Sequence, residues 1–159
     1  MGQRQETIVK ALETSRRTLD ETLSRVSDWN LQVQDEDQKW TVRQMLSHLV
    51  DAQRGMTGQM KRINEGQESV PADFDLNRWN KRAVEKMTER TPDDLMQQLA
   101  QDHRTLKEFV SSLSDADLDK RGRHSSLVIM SIEEIGLLIA SHEREHTMQI
   151  LGKIGETHP

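Results

Sequence analysis

The chain has 159 residues, of which 33% are hydrophobic and 31% charged, and its net charge of -5 argues against a role in binding nucleic acid. It contains no cysteine, which excludes a disulfide framework, a thiolate metal ligand and a nucleophilic cysteine. No run approaches the roughly 20 apolar residues of a membrane span and no signal peptide is recognisable, so we expect one cytoplasmic domain over residues 1–159, with the first few residues and residues 153–159 frayed.

Two helices are predicted in the first part of the chain. Apolar residues at a spacing of three and four predict an amphipathic helix over roughly residues 4–27, and the polar stretch 30–39 breaks this pattern. Thr41, followed by Gln44, predicts a capping box at the start of a second helix, which we expect to end near Gly66.

A short helix and a long helix are predicted in the middle of the chain. After a loop at residues 69–73, apolar spacing predicts a shorter helix around residues 76–87. Thr91 is a predicted N-cap and Pro92 a predicted first helical residue, so a further helix is expected to begin here and to reach Leu113.

The last part of the chain predicts a loop and a final helix. Residues 114–130 are expected to form a loop with room for a short turn of helix, and the apolar end of this segment is ambiguous. Ser131 and Glu134 predict another capping box, which opens a helix that ends at about Gly152. Four long helices and one shorter helix predict an all-α fold, an antiparallel-type helical bundle whose helix order the periodicity does not fix.

The final predicted helix carries two histidines, His142 and His146, on the face where apolar residues should continue. Ile135, Leu138 and Ile139 precede them at helical spacing. Side chains at i and i+4 lie one turn apart, so both imidazoles can reach one metal ion, and coordination would offset the cost of burying them. The residues alone leave a structural pair open as the alternative.

Two ligands rarely complete a metal site, and the best third candidate is His48 in the second predicted helix. Ala52 and Gly55 on the same side leave space for something other than side-chain packing. By its spacing alone, His48 is more typical of a boundary histidine with a hydrogen-bond partner than of a ligand. His103 and His124 are reserve candidates for a ligand. The side chain of His158 is expected to be solvated.

The segment from His142 to His146 also matches H-E-x-x-H, the zinc motif of metalloproteases in which the glutamate, here Glu143, is the general base. We expect no protease activity, because Gly152 stands where a downstream third ligand is expected and no alternating strand predicts a substrate-aligning sheet. A di-iron carboxylate site is not expected either, because the sequence contains only one E-x-x-H.

Ordered segments of the chain resemble the DinB/YfiT-like superfamily of metalloenzymes, from about residue 5 to residue 152. The segment Trp40–Ala52 resembles the family's tryptophan-led helix with an inward histidine. The final helix resembles the last helix of the family in its opening residues 131–134 and in its later positions His142, His146, Gln149 and Ile150. The middle segment is similar in kind at Phe74, Trp79 and Asn80.

The resemblance implies a four-helix bundle with a divalent metal held by three histidines, which by position are His48, His142 and His146. It implies zinc or nickel as the ion, with manganese and iron as further candidates. Characterised members of the family include transferases and isomerases that use low-molecular-weight thiols such as bacillithiol and mycothiol. A small-molecule substrate and such a thiol are therefore the expected partners.

Three neutral imidazoles leave a coordination position open, which is typical of a catalytic site, and the expected enzyme is a metal-dependent transferase or hydrolase. Glu143 and Glu145 are weak candidates for orienting an imidazole or shuttling a proton, and the alternative is that both are solvated flanking acids. Gln149 is expected to line the pocket or cap a packing contact, whereas Trp40 and Trp79 are expected to pack instead of stacking on a substrate. The competing interpretation is a metal-stabilised interaction module that forms a homodimer without catalysis.

Overall fold

The computed structural model describes residues 1–33 and 39–157, and within them the chain forms four long helices, two short ones and a β-hairpin. In chain order the elements are α1 Gln3–Leu23, α2 Val42–Asn64, α3 Leu76–Lys86, α4 Pro92–Ser112, α5 Asp115–Leu118, β1 Arg121–Arg123, β2 Ile129–Ser131 and α6 Ile132–Thr157. The centre of the polar stretch 30–39 and the side chain of His158 lie outside the described residues, so these two predictions stay predictions.

The predicted capping boxes set the starts of the helices that carry the candidate ligands. The Thr41 hydroxyl accepts from the Gln44 backbone N–H at 3.2 Å, and the Gln44 side-chain oxygen accepts from the Thr41 N–H at 2.9 Å. Ser131 and Glu134 exchange the same two bonds at 3.0 and 3.1 Å. Thr91 caps α4 with its side chain in front of the predicted N-terminal proline. All three predicted starts are confirmed.

Two predicted helix ends are wrong. α1 ends at Leu23, before the predicted end at residue 27, because Arg25 and Val26 form tight turns with i to i+3 backbone bonds. Val26 still packs against the core, which is why the apolar spacing extends beyond the helix. α6 runs to Thr157, beyond the predicted end at Gly152.

The segment 114–130 contains more structure than the predicted loop. α5 is the expected short turn of helix, and an antiparallel hairpin follows in which Arg121 pairs with Ser131. The hairpin turn is closed by the His124 N–H, which donates to the Val128 carbonyl at 2.9 Å, and Leu127 adopts a positive φ of 73° within it. Strands of three residues are too short to show alternation, so the sequence did not predict them.

The long helices form the predicted four-helix bundle, with α3 as the additional shorter helix. α1 and α2 each pack against both α4 and α6, and α3 packs against α2. This arrangement supplies the helix order that the periodicity left open. Within the described residues, none of the helices combines the length and apolar character needed to cross a bilayer.

A polar layer separates two apolar clusters in the core. One cluster is built around Leu19, Leu46 and Ile150, and the other around Ile8, Met60 and Ile135. Where the clusters adjoin, each long helix contributes buried polar side chains, namely Ser15, Arg16, His48, Gln53, His103, Glu143 and His146. Polar groups buried without partners cost stability, so the hydrogen bonds and ion pairs within this layer determine whether it stabilises the fold.

Candidate metal centre

Three imidazoles meet where α2 packs against α6. Nε2 of His142 lies 3.2 Å from Nε2 of His48 and 3.1 Å from Nε2 of His146. Ligand atoms of the three rings all lie within 4.8 Å of one another, and in the part of the chain that the structure describes this is the one such group of histidines and acids. The structure therefore brings together the three side chains predicted as ligands, and their binding of a metal stays a prediction.

Packing and hydrogen bonds orient two of the three rings. The Trp40 ring lies against His48 with 4.9 Å between ring centroids, and it is buried, which confirms that Trp40 packs in the core. Nδ1 of His146 lies 2.8 Å from the side-chain oxygen of Gln149. Because an amide oxygen only accepts, Nδ1 carries the proton and Nε2 of His146 presents a lone pair to the other rings.

Burial keeps the imidazoles of His48 and His142 neutral. Burial, followed by the neighbouring imidazoles, lowers the pKa of each ring to about 3. Near neutral pH these rings therefore carry no charge and each offers one nitrogen lone pair.

Two of the separations among the three nitrogens match those around a divalent ion that prefers imidazole. Two nitrogens bound to one zinc ion at about 2.0–2.1 Å with near-tetrahedral angles lie about 3.3 Å apart. The separations of 3.1 and 3.2 Å at His142 Nε2 are close to this value. Hydrogen bonds among neutral rings satisfy the group less well, because Nε2 of His142 has either one proton or one lone pair to share between two neighbours.

The two candidate acids have different surroundings. Glu143 is 6% exposed and accepts hydrogen bonds from the Ser15 hydroxyl at 2.6 Å and from Nη2 of Arg16 at 2.7 Å. The solvated interpretation is therefore wrong for Glu143, whose carboxylate is engaged by α1. Glu145 is exposed, as the solvated interpretation expects.

A cavity of about 470 Å³ opens beside His48 and His142. Its walls come from α2, α3, α6, the loop before α3 and the hairpin turn. Ala52 and Gly55 line it, and a Cβ added to Gly55 would contact nothing within 4 Å, which confirms the space predicted beside His48. The volume lies in the range of small-molecule pockets, roughly 300–1,000 Å³.

Polar residues of the cavity include some that the sequence did not reveal. Asp51 lies three residues after His48, and its carboxylate accepts from the indole N–H of Trp79 at 3.0 Å. Burial raises the pKa of Asp51, although the bond from Trp79 and nearby cations oppose the shift. Trp79 is 51% exposed and lines the cavity, so it lies outside the core, and its ring packs against Phe74 with 5.7 Å between centroids. The prediction that it does not stack on a substrate stays a prediction. The i+3 spacing from His48 was the available signal for Asp51.

The two reserve histidines lie outside the cluster of three rings. His103 is buried in the polar layer on α4, and burial followed by nearby cations lowers its pKa to about 4. His124 lines the cavity from the hairpin turn, and burial lowers its pKa as well.

Comparisons with known proteins agree with this architecture. The family model of the DinB superfamily matches residues 11–150. A protein of Oceanobacillus iheyensis named "Putative metal-dependent hydrolase" is 24% identical over 143 residues, which are 89% of this chain and 80% of that protein. The structure of YfiT from Bacillus subtilis, described as "a probable metal-dependent hydrolase with an unusual four-helix bundle topology", has a TM-score of 0.78 at 20% identity and is matched over 99% of this chain and 90% of its own.

Proposed function

Because the chain belongs to the DinB superfamily, we propose that it is a metal-dependent enzyme that acts on a small molecule. The observation that carries this proposal is the convergence of His48, His142 and His146, two of which line the wall of the cavity. Within the described residues no fourth histidine or acid joins the group, so protein ligands would leave a position open on a bound ion. An open position beside a cavity supports catalysis over a purely structural role.

Zinc or nickel is the proposed ion, with manganese and iron as weaker candidates for an all-imidazole donor set. A bound ion would supply a Lewis acid that lowers the pKa of a water or of a thiol. The protein's own contribution is to hold the imidazoles: Gln149 fixes the tautomer of His146, and Trp40 packs against His48. Apolar side chains such as Met56 and Leu138 line the cavity beside these groups.

The first candidate reaction is a transfer or isomerisation that uses a low-molecular-weight thiol. The sequence contains no cysteine, so a reacting thiol has to come from a cosubstrate. The cavity of about 470 Å³ has room for a ligand of that size.

Hydrolysis is the second candidate, and Asp51 is the observation that favours it. The carboxylate lines the cavity one helical turn from His48. Burial raises its pKa, which makes the carboxylate a stronger base. The hydrolase names of both relatives support the same reaction class.

Metal content tests the shared part of the proposal. We expect about one ion per chain in protein purified without chelator or reconstituted with zinc or nickel, and less than a tenth of this in His142→Ala. His103→Ala is the matched control, because it removes a buried histidine that lies outside the cluster and should retain the ion. Full occupancy in His142→Ala would contradict the site.

Turnover separates the candidate reactions. A thiol transferase should join a small thiol to 1-chloro-2,4-dinitrobenzene only when metal is present, whereas a hydrolase should cleave p-nitrophenyl acetate and lose most of this activity in Asp51→Asn. The metal-stabilised dimerisation module predicts neither reaction. It predicts instead that chelation dissociates a dimer and lowers the melting temperature.

A further inference from the structure

The cavity has opposite charges at its two ends. Its floor is one face of α2, along which Asp51 and Arg62 both line the cavity. Eleven residues separate them, so their backbones lie about 16 Å apart at 1.5 Å per residue. The Arg62 guanidinium folds back along α2 and lies against Gly58, which is seven residues from Asp51. Asp51 lies beside His48 at the imidazole end, so the guanidinium of Arg62 marks the opposite end. In the metal-free protein a ligand with one negative charge is therefore favoured with that charge toward Arg62 and away from Asp51.

Arg62 has hydrogen-bonding capacity left for a ligand. Its Nε donates to the Ser69 carbonyl at 2.9 Å, which fixes the side chain against the loop before α3. Among the described residues no carboxylate forms an ion pair with it. A guanidinium held by one nitrogen retains donors that match the geometry of a carboxylate.

His124 supplies a second donor in the same cavity. The Ser126 backbone N–H donates to Nδ1 of His124 at 3.0 Å, and the Ser126 hydroxyl lies 2.8 Å from that nitrogen. Nδ1 is therefore an acceptor, and the neutral ring carries its proton on Nε2. His124 is 7% exposed, and its Nε2 is buried with no hydrogen-bond partner among the described residues. A buried donor without a partner costs stability, so a ligand that accepts from it gains affinity.

Arg62 and His124 belong to one local structure. Ser69, which accepts from Arg62, donates with its hydroxyl to the carbonyl of Arg123, the residue before His124. The Ser125 N–H donates to the Gln59 side chain on α2 at 3.3 Å. The loop before α3 and the hairpin turn therefore link Arg62 to the residue before His124, and both side chains line the cavity. The cavity wall also contains apolar side chains, namely Met56, Val70, Phe74, Trp79 and Leu138.

We propose that the cavity binds an elongated molecule with an apolar body and a terminal carboxylate, and that Arg62 and Nε2–H of His124 bind the two carboxylate oxygens. One cation and one neutral donor match the single charge and two oxygens of a carboxylate. The other end of the molecule then lies beside Asp51 and the three imidazoles. The identification of this ligand as a substrate rests on the proposed function, whereas the binding itself requires no metal.

Isothermal titration calorimetry with 6-phenylhexanoate and 6-phenylhexanamide tests the proposal, because the two probes differ in charge and hardly in shape. We expect the acid to bind at least about tenfold more tightly than the amide, both to zinc-loaded and to chelator-treated wild type. Agreement between the two preparations shows that the carboxylate is not bound by the ion. It also keeps this test independent of turnover and of metal content.

Variants of Arg62 and His124 test whether these side chains bind the probes and cause the preference for the acid over the amide. Arg62→Gln should reduce the preference for the acid to within about twofold, and Arg62→Lys should retain part of it. The control is Arg54→Gln, which alters an arginine of α2 that is paired with Asp102 and should leave the preference unchanged. His124→Phe should weaken both probes several-fold, because either offers an oxygen to Nε2–H. Equal affinities in the wild type, binding of neither probe, or an unchanged preference in folded Arg62→Gln would overturn the proposal.

Discussion

At the scale of single residues, the tautomer of His146 links the candidate site to its surroundings. The Gln149 side-chain oxygen lies 2.8 Å from Nδ1 of His146, one turn further along α6. Without this acceptor the neutral ring could place its proton on either nitrogen, and only one of the two tautomers leaves Nε2 free to bind an ion. Gln149 thus stabilises the form of His146 that a metal requires.

Gln149→Leu should therefore weaken metal binding without removing it. We expect an affinity about 10–100-fold lower than in the wild type, as is typical for the loss of a group that orients a histidine ligand. Competition with a chromophoric chelator at fixed pH measures the change. Glu145→Gln alters an exposed side chain of the same helix and should match the wild type. Equal affinity in Gln149→Leu would show that the hydrogen bond does not govern the tautomer.

At the scale of elements, the capping box of α2 fixes where the helix begins and hence where His48 lies. Thr41→Ala removes the hydroxyl that accepts from the Gln44 N–H and should lower the free energy of unfolding by about 1 kcal/mol. Urea unfolding monitored by circular dichroism measures this. Thr18→Ala in α1 is the control, because that exposed hydroxyl bonds only a carbonyl within its own helix. A cost for Thr18→Ala equal to that for Thr41→Ala would contradict the capping argument.

Features within one helix could be predicted from the sequence, whereas contacts between separate elements could not. Helix starts depend on three or four adjacent residues, so the boxes at Thr41 and Ser131 were recognisable. His142 and His146 share one helix face and were recognisable by spacing. His48 became a firm candidate only through the family resemblance, because its distance from α6 depends on packing between helices. Residues of the cavity from separate elements, such as Arg62 and His124, meet only in the folded chain and carried no shared signal.

At the scale of the whole molecule, the polar layer ties the four long helices together. Arg16 of α1 donates to Glu143 of α6 at 2.7 Å, to the Gln53 side chain of α2 at 2.7 Å and to the Leu99 carbonyl of α4 at 2.9 Å. One side chain thus contacts each of the other long helices at the level of the candidate metal centre. Sliding any helix along the bundle would leave a buried charge without a partner, which favours a single register.

The same layer makes the fold sensitive to acid. Burial, and then the charges of Arg16, Lys107 and Arg104, lower the pKa of His103 from 6.5 to about 4. Between these two pH values the unfolded chain binds a proton that the folded chain does not, so stability falls as the pH drops through this window. In chelator-treated protein, His103→Gln should lose a few degrees less in melting temperature than the wild type between pH 6.5 and 4.5. Parallel losses in both proteins would assign the acid sensitivity to other groups.

Variants of the Arg16–Glu143 ion pair test whether this layer stabilises the bundle or mainly selects one helix register. Arg16→Met leaves the Glu143 carboxylate buried with only the Ser15 hydroxyl as a hydrogen-bond donor among the described side chains, so we expect the free energy of unfolding to fall by about 3–5 kcal/mol. The double variant Arg16→Met with Glu143→Leu buries no unpaired charge and should recover much of this loss in urea unfolding. If the double variant is as unstable as Arg16→Met, the ion pair stabilises the bundle directly. If it recovers, the pair acts mainly on register, and the cost should appear instead as weaker metal binding, because His142 lies next to Glu143 on α6.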